Sequence, residues 1–360
     1  MPEIGAKPNV PTLQRRILRA VEALTSPLLP SDYLELLNPL WSTRELRGRI
    51  ESIEAETADA ATVRIKPGYA WMGHRPGQYL RIGVDIAGVR HWRAYSITSA
   101  PGRPDGCVCI TVKHVSEGKV SPYLVRHGRP GAIVSLGGVE GDFVLPDPVP
   151  DRLLLISAGS GITPIMSMLR SIEPRDVVLL HSARGADDVI FGAELRALAD
   201  EHAGFRLHEQ DTRAHGRLTV ERIGQLVPDW REREAFVSGP GEMLDALVEH
   251  WEHAGDPERL HLERFQPKLG LAEPGEGGTI AFVASDTVVE ADGSTPILVA
   301  GEQASLELPF GCREGICHTC VGTLRSGRVR DLRNGQVCGQ DGQQVRTCIN
   351  AAEGPVEIEL

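Results

Sequence analysis

An excess of basic charge is the first thing missing: 38 Lys and Arg face 49 Asp and Glu, a formal net charge of −11. Nucleic-acid binding rests on cations that neutralise phosphates, so no nucleic-acid partner is expected. No apolar run approaches the ~20 residues that a membrane-spanning helix needs. Met1–Val10 lacks the apolar core of a secretory signal and the Arg/Ser enrichment of a transit peptide, which places the chain in the cytoplasm. An even set of cysteines is also missing. There are seven, and an odd count in a cytosolic chain argues against a disulfide framework. Repeats and low-complexity tracts are absent too. What remains, 360 residues with 41% hydrophobic and 24% charged side chains, is a globular composition. At ~150 residues per domain it makes two or three domains.

Residues 1–44 read as an N-terminal helical arm. Leu13, Ile17, Val21 and Leu24 form one stripe with Arg15, Arg16 and Arg19 away from it; Pro27 and Pro30 end it, and Tyr33–Trp41 is a second apolar piece. Such an arm either packs on the following domain or touches a membrane through residues 11–41. Over 45–147 the runs Thr62–Ile65, Tyr79–Ile82, Cys107–Val112 and Ile133–Leu136, separated by Gly/Pro turns, predict a small antiparallel β-barrel. Cys107 and Cys109 share one face there and read as core. Over 148–266 the runs Leu153–Ile156, Val177–Leu180 and Ala235–Val237 alternate with helical stretches such as Phe191–His202, the pattern of an α/β domain with a parallel sheet. Residues 267–278 read as a linker. Residues 279–360 form a small β-rich domain with strands at Thr279–Val289 and Val356–Leu360.

Three constellations carry chemistry. Cys312-x4-Cys317-x2-Cys320, then 27 residues, then Cys348, has the spacing of a plant-type 2Fe-2S site. Zinc is the alternative, but zinc sites usually pair two short Cys/His motifs and only one is present; Cys338 remains a stray candidate. In Arg93-Ala94-Tyr95-Ser96-Ile97-Thr98 a guanidinium, a phenol and a hydroxyl on one extended segment suit a pyrophosphate, a flat ring and a ring nitrogen. Gly118-Lys119-Val120-Ser121-Pro122 adds free backbone N–H groups, with Ser121 expected as a helix N-cap. Ala158-Gly159-Ser160-Gly161-Ile162-Thr163-Pro164 follows a strand and leads into a helix, the geometry that accepts a dinucleotide's pyrophosphate, although the full Gly-x-Gly-x-x-Gly is not there. Ser182 and Arg184 follow the next strand, and an arginine there favours a 2′-phosphate, hence NADPH over NADH.

These motifs, with Ser238-Gly239-Pro240, occur in an order that closely resembles the ferredoxin-NADP reductase superfamily carrying a C-terminal plant-type ferredoxin domain, over about residues 45–360. Within it the chain looks most like the reductases of membrane fatty-acyl desaturases and alkane hydroxylases, which the N-terminal arm and His91-Trp92-Arg93 favour. Reductases of phenylacetyl-CoA epoxygenases and ring hydroxylases, using NADH with FMN or FAD, come next. The resemblance implies a multidomain fold: an antiparallel β-barrel FAD domain, an α/β parallel-sheet NAD(P) domain and an α+β β-grasp ferredoxin domain. It implies FAD held by Arg93, Tyr95, Ser96, Ile97, Thr98, Gly118, Val120 and Ser121. NADPH, with NADH as the alternative, would be held by Gly159, Gly161, Thr163, Pro164, Ser182, Arg184, Gly239 and Pro240. Cys312, Cys317, Cys320 and Cys348 would hold the cluster. Ser96, Ser238, Glu263 and Phe265 would stand at the reacting rings, and His318 departs from the small residue frequent between the second and third ligands. The implied activity passes electrons from NADPH through FAD and the cluster to a terminal oxygenase or desaturase. A redox-sensing iron-sulfur flavoprotein is the rival of another class. Residues 271–360 hold 13 acidic and 6 basic side chains, which favours docking on a basic acceptor.

Overall fold

The structure is a computed structural model that describes residues 30–116, 118–265, 275–310, 315 and 318–360. The stripe at 11–24 and the ligand candidates Cys312 and Cys317 lie outside the described residues. Pro30 opens rather than ends a helix, α1 (Pro30–Leu37), and a 3-10 turn follows at Pro39–Trp41. There Asn38 Oδ1 accepts from the Leu40 N–H at 3.1 Å.

The first sheet contains β1 (Arg47–Thr57), β2 (Ala60–Pro67), β3 (Tyr79–Ile86), β4 (Val89–Ser96), β5 (Val108–Lys113) and β6 (Ile133–Glu140). All pairings are antiparallel, in the order β4-β3-β6-β1-β2-β5. The ends of that order meet through one bridge, Ile97 to Ile110, which closes the sheet on itself. Side chains at period two, such as Val63 and Ile65 on β2 and Leu80 and Ile82 on β3, fill the interior. Helix α2 (Val120–Arg126) packs against β2, β4 and β5.

The second sheet is parallel throughout: β7 (Leu153–Ala158), β8 (Val177–Ala183), β9 (Phe205–Asp211), β10 (Glu234–Ser238) and β11 (Leu260–Glu263), in the order β11-β10-β7-β8-β9. Its strands are near-continuous apolar runs because both faces are covered. Leu155, Leu179 and Phe236 pack under α3 (Ile162–Leu169) and α4 (Gly192–Glu201), together with Phe143 and Leu145 from the end of the barrel domain. Leu154, Ile156, Val178, Leu180, Ala235 and Val237 pack on the other side under α6 (Val220–Leu226) and α7 (Gly241–Ala254); the single-turn α5 (Thr212–His215) follows β9. The chain runs outward from β7 to β9 and then returns to β10 on the other side of β7. That reversal puts the topological switch point between the carboxyl ends of β7 and β10.

The third sheet is mixed. β12 (Gly275–Phe282) pairs antiparallel with β13 (Thr287–Gly293) and parallel with β17 (Asn350–Glu359), which pairs antiparallel with β14 (Val321–Asp331); β15 (Val337–Cys338) and β16 (Gln344–Arg346) flank β14. Helix α8 (Ile297–Gln303) buries Ile297 and Ala300 on this sheet, giving the α+β arrangement. One expected strand, Thr279–Val289, is two: the chain turns at Val283–Asp286, where Asp286 takes φ 49°. β12 also starts at Gly275, inside the stretch read as a linker.

Candidate functional site

The barrel brings one half of the site. On β4, Ser96 pairs across to Tyr79 of β3, and Tyr79 pairs across to Glu140 of β6, so the three lie in one row. The Tyr79 hydroxyl donates to Glu140 Oε2 at 3.3 Å, and Arg81 holds the other carboxylate oxygen at 3.3 Å. Ser96 is buried, and its hydroxyl has no hydrogen-bond partner among the described residues. Burial pushes the Tyr95 phenol up, so the ring stays neutral. Arg93 donates to its neighbour's Trp92 carbonyl at 2.8 Å and holds no carboxylate. The side chains of Ile97 and Thr98 are fully buried, Ile97 in the barrel core and Thr98 with its hydroxyl 3.4 Å from that of Thr111, so each presents its backbone rather than its side chain. Val120 is likewise core.

A further correction concerns Ser121. It is not an N-cap: α2 begins at Val120, the cap position is Lys119, and Pro122 falls in the first turn. Ser121 Oγ instead accepts from the Val115 N–H at 3.1 Å, closing the loop that contains Gly118 and leaving its own proton available to an anion.

The parallel sheet brings the other half. Glu263, Ser238, Ser157 and His181 stand in register on β11, β10, β7 and β8, and therefore on one face, at the carboxyl end. Ser157 Oγ lies 2.8 Å from His181 Nδ1. Burial drives the His181 imidazole down to about 4, so it is neutral. Ser238 Oγ and Ser182 Oγ are buried with no hydrogen-bond partner among the described residues, and such orphans mark a place where a polar ligand completes the site. Glu263 is pushed up to about 7, first by burial and then by the Asp142 carboxylate. Phe265 follows it, half-buried. Gly159 takes φ 54° and Gly161 caps α3, while Thr163 Oγ1 donates to the Ser160 carbonyl at 2.9 Å and Pro164 is buried in the first turn. A Cβ on Gly161 would sit 2.1 Å from the Ser238 carbonyl, so only glycine lets this turn reach the end of β10. Gly239 and Pro240 lead from β10 into α7.

The halves are fastened together. Ser167 of α3 donates to the Ser99 carbonyl at 2.9 Å and Arg170 to the Thr98 carbonyl at 2.7 Å. Phe143 meets Phe236 edge to face with centroids 5.6 Å apart. Arg184 reaches Asp59 of the β1–β2 turn at 3.4 Å and Asp188 at 3.2 Å. Arg213 shares Asp188 at 3.3 Å and was missed in the sequence. Its signal is Thr212-Arg213 directly after β9, the strand whose end lies beside that of the strand leading to Ser182 and Arg184.

In the third domain, Val321 pairs with Arg346, which sets Cys320 beside Cys348 although 27 residues separate them. Their sulfurs are 3.1 Å apart, both buried, against Leu298, Ile349, Leu308 and Phe310. The Thr347 N–H and hydroxyl both donate to the Cys320 carbonyl, at 3.0 and 2.9 Å. Arg346 pins the loop by donating to the Gly315 carbonyl at 2.6 Å. Two convergent buried thiols fit one half of the donor set of a 2Fe-2S cluster. Cys338 packs on the sheet core instead. His318 is exposed with φ 57°, a conformation that a small residue adopts more easily.

Residues 48–145 match the oxidoreductase FAD-binding domain, 155–249 the oxidoreductase NAD-binding domain and 283–352 the 2Fe-2S iron-sulfur cluster binding domain. An NADPH oxidoreductase of Mycobacterium tuberculosis strain H37Rv is 50% identical over 351 residues, covering 95% of this chain and 92% of that protein. The chain belongs to the ferredoxin-NADP reductase family, with a C-terminal 2Fe-2S domain. The reductase is also 29% identical to the glycine betaine monooxygenase reductase subunit of Pseudomonas aeruginosa, over 79% of this chain and 87% of that one. Phthalate dioxygenase reductase shares its fold, with a TM-score of 0.58 at 20% identity, over 87% of this chain and 97% of that one. It is thus an NAD(P)H-dependent oxidoreductase of the ferredoxin reductase type, with FAD and a 2Fe-2S cluster as cofactors. No helix among the described residues is long and apolar enough to cross a membrane.

Proposed function

We propose that the reductase takes electrons from NADPH and passes them through FAD and the 2Fe-2S cluster to a terminal oxygenase. The carrying observation is that Glu263, raised in the switch-point row where Ser238 Oγ is orphaned, lies within electrostatic reach of Tyr79, the residue paired with Ser96 in the barrel. Flavin, when bound, supplies the exchange between hydride and one-electron chemistry. The chain's own part is to bind, orient and dehydrate. Arg93 and the Ser121 hydroxyl hold the diphosphate, and Tyr95 covers the ring system. The Ser96 hydroxyl would offer a hydrogen bond to the flavin, and Glu263, raised to about 7, would give or take a proton near neutral pH. Ser238 orients the nicotinamide, and Phe265 shields the same space until the nucleotide enters. Gly159, Gly161, Thr163 and Pro164 form the turn for the nucleotide's pyrophosphate, with Gly239 and Pro240 opposite. Arg184, joined by Arg213 and with Ser182 beside them, reads the 2′-phosphate and sets the preference for NADPH over NADH. The name of the mycobacterial relative supports that preference.

For the acceptor, the names of the betaine and phthalate relatives support an oxygenase. The finer reading is a membrane di-iron fatty-acyl desaturase or alkane hydroxylase, with the arm at 11–41 touching the bilayer. It rests on His91-Trp92-Arg93 and on Leu36 and Leu37, which are 74% and 78% exposed on α1 near the exposed Trp41. The deciding experiment is an anaerobic titration of the native protein and Cys317→Ser with NADPH, then NADH, following flavin and cluster absorbance. Both chromophores bleach in the native protein, flavin alone bleaches in the variant, and NADPH acts at lower concentration than NADH. An unbleached flavin ends the reductase reading. Reoxidation by desaturase-containing membranes but not by a soluble ring-hydroxylating oxygenase supports the finer acceptor, and the reverse removes it.

A further inference from the structure

We propose that Asp59, a residue of the barrel, is the counterion that Arg184 exchanges for the 2′-phosphate of the nucleotide, so that one domain sets how strongly its neighbour prefers NADPH. The inference rests on the assignment of the 2′-phosphate to Arg184 and adds to it a residue that no nucleotide motif contains.

A chain of ion pairs runs from the β1–β2 turn to the carboxyl ends of β8 and β9. Asp59 Oδ1 is held within the barrel: Lys113 Nζ lies at 2.6 Å and the Thr57 hydroxyl donates at 2.9 Å. The Asp59 backbone carbonyl accepts from the His114 N–H at 2.7 Å, which fixes the turn as well. The second carboxylate oxygen, Oδ2, has one partner among the described residues, Arg184 Nη2 at 3.4 Å. The same nitrogen donates to Asp188 Oδ1 at 3.2 Å, and Asp188 Oδ2 takes Arg213 at 3.3 Å. The two carboxylates differ in their attachment. Asp188 stands four residues from Arg184, in the same domain as both arginines. Asp59 belongs to the other domain, anchored there by Lys113, Thr57 and His114.

That difference decides what a phosphate meets. Arg184 and Arg213 are 57% and 68% exposed, so both are reached from solvent. A phosphate monoester carries about −1.5 to −2 charge at pH 7, and beside Arg184 it faces the fixed Asp59 carboxylate. Like charges sharing one guanidinium repel, and the phosphate, with more charge and three acceptor oxygens, is the stronger partner. Arg184 therefore leaves Asp59, whose charge remains paired with Lys113. Holding Arg184 in place is the opposing effect of Asp59. Asp188 does that already, and one exposed ion pair adds little to it, so the repulsion dominates. NADH has only a hydroxyl at that position and leaves the Asp59 pair intact. Asp59 thus restrains the preference for NADPH, and its removal increases it.

The test uses the full-length protein with FAD and cluster in place, titrated by calorimetry with adenosine 2′,5′-bisphosphate and, as the probe without a 2′-phosphate, adenosine 5′-monophosphate. Asp59→Asn is expected to bind the bisphosphate about threefold to fivefold more tightly, the scale of one exposed ion pair, with the monophosphate unchanged. In an Arg184→Gln background the same substitution gains little, because the pair it removes is already gone. Bisphosphate affinity in Asp59→Asn at or below that of wild type overturns the inference. So does a full gain in the Arg184→Gln background, which would make Asp59 a charge acting on the phosphate without Arg184. Asp59→Ser removes the same charge and is read the same way should the asparagine variant fail to fold. Failure of the underlying reading has its own signature: Arg184→Gln that binds the bisphosphate as tightly as wild type removes Arg184 from the 2′-phosphate site, and the inference falls with it.

Discussion

Glu263 and His181 are two titratable groups in one row of the parallel sheet, displaced in opposite directions by the same burial. Glu263 sits near 7 rather than its ordinary 4.5, so the native state binds a proton that the unfolded chain releases. Its contribution to stability is complete below about 4.5 and is lost as pH rises through 7. His181 sits near 4 rather than 6.5, so its contribution is complete above 6.5 and is lost as pH falls toward 4. For a shift of that size the His181 share is about 3 kcal/mol. The two slopes oppose each other between pH 4.5 and 6.5, and removing either unmasks the other. Melting of the apoprotein is the measurement. Glu263→Gln should lose Tm on acidification more steeply than wild type, and His181→Gln should lose it on alkalinisation; parallel curves for all three proteins would refute the assigned environments. Neither shift was legible in the sequence. Ser157 and His181 meet only because adjacent parallel strands align them, and Asp142 reaches Glu263 from another domain. The 2Fe-2S domain was legible because the covalent spacing of its cysteines is itself the signal. Arg213 was not, since only the sheet sets the end of β9 beside that of β8.

Among the elements, the turn between β7 and α3 has the least room. Gly161 faces the Ser238 carbonyl so closely that Gly161→Ala must push the end of β10 away, a displacement that costs about 1 to 3 kcal/mol in a packed region. The expected outcome is a lower Tm and NADPH affinity reduced at least tenfold, with FAD content retained because the barrel does not contain this turn. Spectral FAD content and a difference-spectrum titration with NADP⁺ measure both. Retained nucleotide affinity would show that the turn does not shape the site. Elements with strong alternation or long apolar runs, such as β2, β7 and β8, were readable from sequence. The errors fell on turns. Thr279–Val289 looked continuous because its β-prone residues run through the bend at Asp286. Ser121-Pro122 mimicked a cap, but α2 starts two residues earlier than that cap implies, at Val120.

At the scale of the molecule, charge is unevenly distributed: 13 of the acidic and only 6 of the basic side chains fall within residues 271–360, the part of the chain that contains the 2Fe-2S domain. Reduction of cytochrome c, a basic acceptor, should slow severalfold between low and high salt as screening shortens to ~3 Å near 1 M. A flat stopped-flow rate would remove electrostatic docking.

The third sheet also sets an order of assembly. Its central strand is β17, paired to β12 on one side and β14 on the other, while the barrel and the parallel sheet use nothing beyond Glu263. A chain emerging residue by residue from the ribosome can therefore complete its flavin and nucleotide domains while the third still lacks both its central strand and Cys348. The third sheet is then the last to close, and a polypeptide interrupted before Cys348 would keep the barrel and the parallel sheet, the two domains that match FAD and nucleotide binding, while lacking the strand on which the third is built.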